Sequence, residues 1–256
     1  MYKGYLIDLD GTAYLGAKVI PETIKFTDEL LAKGIPFKFV TNNSTATEAD
    51  VVKKLSAMGY TVGEENIVTT ARATANYITK HLPDAVVYHI GEGGVIGALA
   101  DANITTTSNY LEANTVVVGL DKNVDYNKFA DACLAIRNGA TFISTNPDIA
   151  LPSERGMLPG NGALAKLVEY STEVTPITIG KPEKNIMQEA LDQLGLSNTE
   201  VAMIGDNYMT DIMSGINLDI DTIFVNTGLT RREELAKYDI APTHICETLL
   251  DFIPNI

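Results

Sequence analysis

The sequence predicts an α/β protein built on a doubly wound parallel sheet with helices on both faces. Two observations carry this prediction. Short apolar runs rich in β-branched residues alternate with longer segments of helical periodicity along the whole chain. Four of the predicted strands are followed at once by polar or acidic residues, which is typical of strands at the ligand-binding edge of such a sheet.

The first third of the chain supplies the clearest helix. Pro21–Lys33 is predicted to be helical, because proline suits the first turn and Gly34 suits the C-terminal cap. The other elements expected here are, in chain order, strand Tyr5–Leu9, strand Pro36–Val40, helix Thr47–Met58, strand Ile67–Thr70 and helix Ala71–His81.

The same alternation continues through the rest of the chain. The expected elements are strand Ala85–Ile90, helix Val95–Ala102, strand Thr115–Val118, helix Tyr126–Arg137, strand Thr141–Ser144, a Pro/Gly-rich loop from Asn146 to Asn161, helix Ala163–Tyr170, strand Ile177–Ile179, helix Lys184–Leu194, strand Val201–Ile204, helix Met209–Ile216 and strand Thr222–Val225. Reactive residues are therefore expected after the strands that end near Leu9, Val40, Ile179 and Ile204.

Composition excludes several classes of function. The 256 residues carry a net charge of −14, so we expect neither a nucleic-acid partner nor an anionic membrane surface. The apolar run near the start is too short for a signal peptide, and no run reaches the roughly 18 apolar residues of a membrane span, so a cytoplasmic location is expected. Cys133 and Cys246 have no metal-ligand spacing and are predicted to be buried.

The segment DLDGT places two carboxylates, Asp8 and Asp10, at the end of the first strand. Residues i and i+2 of a strand point the same way, so both side chains can face one site. Two close carboxylates repel unless a cation lies between them or one is protonated. A polar turn that caps a helix is the competing interpretation of this segment.

Three further segments follow predicted strands. Thr41, Asn42 and Asn43 offer a hydroxyl and amides to an oxyanion, although Ser44 or Thr45 capping the next helix would explain the same pattern. Lys181 could direct one positive charge at the strand ends, or lie solvated on the surface.

The fourth segment, GDNYMTD over residues 205–211, supplies hard oxygen ligands that suit Mg²⁺ from Asp206, Asn207 and Asp211, with helix capping as the alternative. A cation, oxyanion donors and a nucleophile together form the apparatus of phosphoryl transfer.

The order DLDGT, TNN, GKP, GDNYMTD resembles the haloacid dehalogenase superfamily of phosphatases over almost the whole chain. This resemblance implies a Rossmann-like core and a covalent aspartyl-phosphate intermediate. It further implies that Asp8 is the nucleophile, that Asp10 is the general acid and base, and that Asp10 favours a phosphatase over a dehalogenase.

The same resemblance implies a binding role for most of the other motif residues. The implied roles are a magnesium ion held by Asp8, the Asp10 carbonyl and Asp206, metal-bound waters held by Asn207 and Asp211, and phosphate held by Thr41, Asn42, Asn43 and Lys181.

The insertion before Lys181 resembles the large α/β cap of the nitrophenylphosphatase, or NagD-like, branch. We therefore expect a discontinuous core of residues 1–80 and 179–256 and a cap over residues 81–178. Asn146 and Asp148, in the segment STNPD, are the expected cap contacts to substrate; shaping a turn is the alternative. Many members of the branch carry arginine where this chain has Asn207, and GDN resembles the bacterial acid sugar phosphatases.

The predicted function is therefore a Mg²⁺-dependent phosphomonoesterase acting on a small phosphorylated metabolite, a sugar or acid-sugar phosphate, and on p-nitrophenyl phosphate in vitro. A nucleotide, phosphoglycolate or pyridoxal phosphate phosphatase of the same branch is the enzymatic alternative. A non-catalytic phosphometabolite-binding protein is the alternative from another class. The oligomeric state stays open between a monomer and a homodimer.

Overall fold

The computed structural model describes residues 1–153 and 155–255. Its strands are, in chain order, β1 Gly4–Ile7, β2 Tyr14–Leu15, β3 Lys18–Val19, β4 Phe37–Thr41, β5 Ile67–Thr69, β6 Val86–Ile90, β7 Thr105–Thr106, β8 Thr115–Val118, β9 Thr141–Ser144, β10 Ala150–Ser153, β11 Gly156–Pro159, β12 Ile177–Thr178, β13 Val201–Gly205, β14 Asp221–Val225 and β15 His244–Cys246.

Helices connect most of these strands. They are α1 Pro21–Lys33, α2 Glu48–Ala57, α3 Thr70–His81, α4 Gly93–Asp101, α5 Tyr126–Arg137, α6 Asn161–Thr172, α7 Lys184–Leu194 and α8 Met213–Ile216. A π-helical turn spans Tyr208–Ile212, and short 3₁₀ turns span Glu64–Asn66, Asn198–Glu200, Arg232–Lys237, Leu249–Asp251 and Ile253–Asn255. Within the described residues, no helix is long and apolar enough to cross a membrane.

By their contacts, the described residues divide into two compact units. The first contains Met1–Thr41, Ala49–Val68 and Lys181–Ile256, and the second contains Asn42–Glu48 and Thr69–Gly180. The predicted core of residues 1–80 and 179–256 differs from this division, since residues 42–48, 69–80 and 179–180 belong to the second unit. The assignment of a catalytic core and a cap stays a prediction.

The first unit is organised by a sheet with strand order β15-β14-β13-β1-β4-β5, in which the strands from β15 to β4 pair in parallel. Strand β1 lies inside this sheet, where Tyr5 pairs with Ala202 on one side and Phe37 on the other. All four of its residues are buried, as expected of a strand covered on both faces. Its carboxyl end therefore delivers the following residues, Asp8 onward, to the middle of the sheet edge.

Helix α1 has the predicted bounds and the predicted ends. Pro21 occupies the first turn, and Gly34 adopts the left-handed conformation at φ 67°. The Gly34 N–H donates to the carbonyls of Leu30 and Leu31, which would otherwise lack partners at the helix end. The chain thereby leaves α1 at the point required to start β4.

The second unit has its own parallel sheet, with strand order β12-β9-β8-β6-β7. Helices α5 and α6 pack on this sheet around a core that includes Val116, Val118, Phe142 and Val168. This independent core agrees with an inserted α/β segment rather than with a loop.

Several predictions about local structure were wrong. The loop from Asn146 to Asn161 contains an antiparallel hairpin, β10–β11, in which Leu151 pairs with Leu158. The short strands β2, β3, β7 and β15 were not predicted. Cys246 is buried as expected, but Cys133 is only partly buried.

Candidate active site

Asp8 directly follows β1 and is only 8% exposed. Its backbone N–H donates to the carbonyl of Ile204 on β13 at 2.9 Å, so the sheet hydrogen bonding continues through this residue. A carboxylate that follows a buried strand in this way has a fixed position. The sheet therefore presents Asp8 at its carboxyl edge with little freedom to move.

Lys181 is a buried cation and not the solvated surface lysine of the alternative interpretation. It is 1% exposed, and its ammonium donates to Oδ1 of Asp8 at 2.5 Å and to Oδ1 of Asp211 at 2.8 Å. A third hydrogen bond joins the ammonium to the Val40 carbonyl at 2.9 Å. Burial alone would lower the pKa of Lys181, but the charges of Asp211 and Asp8 outweigh it and raise the pKa, so the side chain is protonated.

Three buried carboxylates, those of Asp8, Asp206 and Asp211, offer oxygen atoms that lie within 4.8 Å of one another. Burial, and then repulsion from Asp211, raise the pKa of Asp206 to about 7. The same two causes raise the pKa of Asp8 well above its ordinary value, against the pull of Lys181. With all three carboxylates ionised, the cluster would carry more negative charge than one lysine compensates, which is the condition a cation would relieve.

Asp206 is held by donors from two loops. Its Oδ1 accepts from the Thr12 hydroxyl at 3.2 Å, and its Oδ2 accepts from the Leu229 N–H at 2.6 Å. Sequence reasoning missed the second of these loops, residues 227–230. The signal was available, because polar residues follow the predicted strand Thr222–Val225 as they follow the other strands of the site.

Glycines make room for the carboxylates. A Cβ on Gly11 would lie 2.4 Å from the Asp206 carboxylate, one on Gly228 would lie 2.0 Å from Asp206 Oδ2, and one on Gly205 would lie 2.2 Å from the Asp211 Cβ. Gly11 also has φ +97°, which disfavours any other residue. The backbone thus closes around two acidic side chains at distances that only glycine permits.

Asp10 has a different environment from Asp8. The residue is exposed, its Oδ2 accepts from the Tyr14 hydroxyl at 3.2 Å, and the Lys54 ammonium lies 3.5 Å from the centroid of the Tyr14 ring. Desolvation by surrounding protein atoms raises the pKa of Asp10, against the pull of Lys54. Asp10 is therefore more exposed than Asp8, and it holds a proton more readily than a free aspartate.

Thr41 is the buried last residue of β4, and it follows the carbonyl that accepts from Lys181. Asn42 and Asn43 belong to the second unit, where Asn43 Oδ1 accepts from the N–H and the hydroxyl of Thr45 at 2.8 Å. The alternative in which Ser44 or Thr45 caps the next helix is wrong, because α2 begins only at Glu48.

Asn207 caps the π-helical turn, since its Oδ1 accepts from the Met209 N–H at 3.0 Å. Asp211 lies inside that turn, and its Oδ2 accepts from the Asn207 N–H at 3.0 Å. The alternative of helix capping is therefore correct for the Asn207 side chain, whereas the Asp211 side chain accepts a hydrogen bond from Lys181. The proposed role of Asn207 beside a metal stays a prediction.

Asn146 and Asp148 lie in the second unit, in the loop that follows β9. Asn146 is 4% exposed, and its Nδ2 donates to the backbone carbonyl of Asn42 at 2.7 Å. Asp148 Oδ1 accepts from the Asn42 side-chain amide at 2.9 Å. Both predicted cap residues are therefore hydrogen-bonded to Asn42.

Known proteins resemble this chain over its full length. It is 49% identical over 255 residues to the 5'-nucleotidase YutF of Bacillus subtilis, covering 100% of this chain and 99% of that protein. It is also 49% identical to an acid sugar phosphatase of Staphylococcus aureus, covering 100% of this chain and 98% of the relative. A family model of haloacid dehalogenase-like hydrolases matches residues 5–105, and a HAD-hydrolase-like model matches residues 178–252. The chain belongs to the haloacid dehalogenase-like hydrolases.

Solved structures of this hydrolase family agree with the assignment. The p-nitrophenyl phosphatase of Archaeoglobus fulgidus superposes with a TM-score of 0.94 at 34% identity, covering 100% of this chain and 99% of that one. The 4-nitrophenylphosphatase of Thermotoga maritima gives 0.92 at 30% identity, covering 99% and 97%.

These matches confirm the predicted resemblance to the nitrophenylphosphatase branch, the α/β fold class and the prediction of a phosphatase. The alternative of a non-catalytic binding protein is thereby not supported.

Proposed function

We propose that this chain is a magnesium-dependent phosphomonoesterase that acts on a small phosphorylated metabolite through an aspartyl-phosphate on Asp8. The observation that carries the proposal is the buried set of Asp8, Asp206 and Asp211 around the Lys181 ammonium. A structural ion pair needs one carboxylate for one lysine. A surplus of buried carboxylates at a sheet edge instead fits a site completed by a cation and a substrate.

The residues fit a magnesium ion. Its preferred ligands are hard oxygens, usually one or two carboxylates together with waters and phosphate oxygens. Asp8, the Asp10 carbonyl and Asp206 would hold the ion, with Asp211 and Asn207 orienting its waters. When bound, the ion neutralises charge on the phosphoryl oxygens. The raised pKa of Asp206 and the glycines packed against it support this assignment, since both reflect carboxylates crowded into one place.

Asp8 is proposed to act as the nucleophile. One of its carboxylate oxygens attacks phosphorus, and the bond from phosphorus to the ester oxygen breaks. Asp10 gives its proton to that leaving oxygen, then takes a proton from the water that attacks the phosphoryl group. This second attack releases inorganic phosphate and restores the Asp8 carboxylate. The exposed position of Asp10 supports its role, because a proton shuttle must reach both the leaving group and water.

Lys181 and the TNN segment are proposed to bind the transferred phosphoryl group. The ammonium of Lys181 is fixed by three acceptors, so it supplies positive charge without reorganising when substrate arrives. Thr41 would add its hydroxyl, and Asn42 and Asn43 would add donors of the following turn. These donors would hold oxygens that carry most of the charge in the transition state.

The substrate class is proposed from the relatives. A sugar or acid-sugar phosphate is favoured because an acid sugar phosphatase is 49% identical, and the GDN segment over residues 205–207 resembles such enzymes. A nucleoside 5′-monophosphate is the second candidate, because a 5'-nucleotidase is equally similar. A panel of both classes under Mg²⁺, ranked by kcat/KM, separates them.

The intermediate can be tested with p-nitrophenyl phosphate and the variant Asp10→Asn. The nitrophenolate leaving group of this substrate departs without much help from an acid. In the variant, the aspartyl-phosphate should therefore still form, while hydrolysis of the aspartyl-phosphate slows. We expect a burst of nitrophenolate close to one equivalent and an intact-mass increase of one phosphoryl group. Asp8→Asn should show neither, and wild-type turnover should stop with EDTA and return with Mg²⁺. Full turnover by Asp8→Asn would exclude Asp8 as the nucleophile.

A further inference from the structure

The backbone of Asn42 is held by two side chains. Its carbonyl accepts from Asn146 Nδ2 at 2.7 Å and from the Thr70 hydroxyl at 2.8 Å. Its own side-chain amide donates to Asp148 Oδ1 at 2.9 Å. Asn42, the central residue of the TNN segment, is thus hydrogen-bonded to three residues that are all distant from it in the sequence.

Asn146 is itself firmly placed. Its Oδ1 accepts from the Asp148 N–H at 3.1 Å, and its backbone carbonyl accepts from Asn161 Nδ2 at 2.9 Å. It is 4% exposed and Thr70 is 0% exposed, so neither side chain offers surface to a substrate. A Cβ on Gly180 would lie 2.6 Å from Asn42 Oδ1 and 2.8 Å from both Asn146 and Thr70. The cluster therefore also depends on a glycine at this position.

The hydrogen bonds to the Asn42 carbonyl fix the whole peptide unit between Asn42 and Asn43. A peptide unit is planar and trans, so the N–H of Asn43 points opposite to the carbonyl of Asn42. The two donors on that carbonyl therefore set the orientation of the turn that follows Thr41. That turn is the one proposed above to hold the phosphoryl oxygens.

We infer that Asn146, Asp148 and Thr70 are positioning residues that act through Asn42 to orient the phosphate-binding turn. This inference rests on the proposed function of residues 41–43. It replaces the expectation that Asn146 and Asp148 select the substrate by touching it. Substitutions of these residues should weaken binding of the phosphoryl group, which every substrate shares. They should not change recognition of the part in which substrates differ.

Two variants remove the two donors separately. Asn146→Asp keeps Oδ1 for the Asp148 N–H but replaces the donor to the Asn42 carbonyl with an acceptor. Thr70→Val keeps the shape of Thr70 and removes its hydroxyl. Each should raise both KM for p-nitrophenyl phosphate and Ki for inorganic phosphate by about 3- to 10-fold, the range expected for one lost hydrogen bond. The ranking of a sugar phosphate, a nucleoside 5′-monophosphate and p-nitrophenyl phosphate by kcat/KM should stay as in the wild type.

Thr74→Val is the matched control. Thr74 is 1% exposed and lies one turn further along α3, where its hydroxyl donates to the Thr70 carbonyl at 2.7 Å. The control makes the same chemical change at an equally buried threonine without touching Asn42. Its KM and Ki should equal those of the wild type, so a general effect of deleting a buried hydroxyl is separated from a positioning effect.

A changed substrate ranking in Asn146→Asp, with unchanged constants in Thr70→Val, would overturn the inference and return Asn146 to direct substrate contact. Unchanged Ki in both variants would overturn it as well. If Asn146→Asp does not fold, Thr70→Val decides alone. Failure of the proposed function has another signature, namely full turnover by Asp8→Asn or no inhibition of the wild type by phosphate.

Discussion

At the scale of single residues, the charge balance of the site depends on Lys181. Its ammonium contacts two of the three clustered carboxylates and a backbone carbonyl, all within the first unit. The charge of Lys181 lowers the pKa of Asp8 and so offsets part of the effect of burial there. The segment GKP alone does not show these contacts, because a buried lysine and a solvated lysine look the same in the sequence.

Replacing this lysine should affect both activity and stability. Lys181→Met keeps much of the side-chain length but leaves buried carboxylates without a cation, which costs about 3–5 kcal/mol in comparable pairs. We expect kcat/KM for p-nitrophenyl phosphate to fall by about 10²-fold or more, because a preorganised positive charge is lost. Steady-state kinetics and urea unfolding measure the two effects.

Lys184→Met is the control for this substitution, since Lys184 is the exposed first residue of α7. Kinetics and stability there should stay close to wild type. A Lys181→Met enzyme with wild-type kcat/KM would contradict the proposed contribution of this lysine to phosphoryl binding.

At the scale of elements, the π-helical turn at Tyr208–Ile212 shows how local geometry serves the site. Helical periodicity predicts an ordinary helix over Met209–Ile216, but the chain first makes a wider turn in which the Ile212 N–H donates to the Asn207 carbonyl at 3.3 Å. Such turns are frequent at functional sites. Here the turn contains Asp211, the carboxylate that contacts Lys181.

Strand β6 contains an unusual residue, the partly buried His89. Its Nδ1 has no hydrogen-bond partner in the described part of the chain. Burial, followed by the charge of Lys128, lowers the pKa of His89, and Asp121 opposes this only in part. The folded protein therefore favours the neutral imidazole more than the unfolded chain does.

The sign of the resulting pH dependence follows from this lowered pKa. The unfolded chain binds a proton at His89 below a pH of about 6.5, whereas the folded protein resists it, so His89 lowers stability as the pH falls through that range. His89→Phe removes the group and should flatten the dependence of Tm on pH between about 5 and 7 relative to wild type. Thermal melts at several pH values measure this, and an unchanged slope would show that His89 does not contribute.

At the scale of the whole molecule, a bound cation should increase the free energy of unfolding. A ligand that binds only the folded state adds about 2.7 kcal/mol at a concentration of 100 Kd. We therefore expect Mg²⁺ to raise the Tm of EDTA-treated protein. The effect should weaken as the pH falls below about 7, because the raised pKa of Asp206 makes protons compete with the metal.

Asp206→Asn tests the origin of that stabilisation. It removes a proposed ligand while keeping an oxygen that can still accept from the Leu229 N–H. The variant should lose most of the Mg²⁺-dependent rise in Tm and should be at least as stable as wild type without metal, since a repelled carboxylate is gone. An equal rise in Tm in the variant and the wild type would place the magnesium elsewhere.

The sequence by itself determined the α/β class, the bounds of several elements and the motif residues at the strand ends. Local signals sufficed there, because Pro21 and Gly34 mark the ends of a helix and alternating segments imply a parallel sheet. The hairpin β10–β11 was not predicted from the sequence. Pro152 and Gly156 are typical of loops, and the sequence does not show that their two segments pair as strands.

Only the tertiary structure decided how the candidate residues meet. It buried Lys181 against Asp8 and Asp211, supplied Leu229 as a donor to Asp206, and directed Asn146 to the carbonyl of Asn42. These contacts join residues distant in the chain, so no local pattern could contain them. Asp8 could be named from its motif, but the surplus of negative charge around it is a property of packing alone.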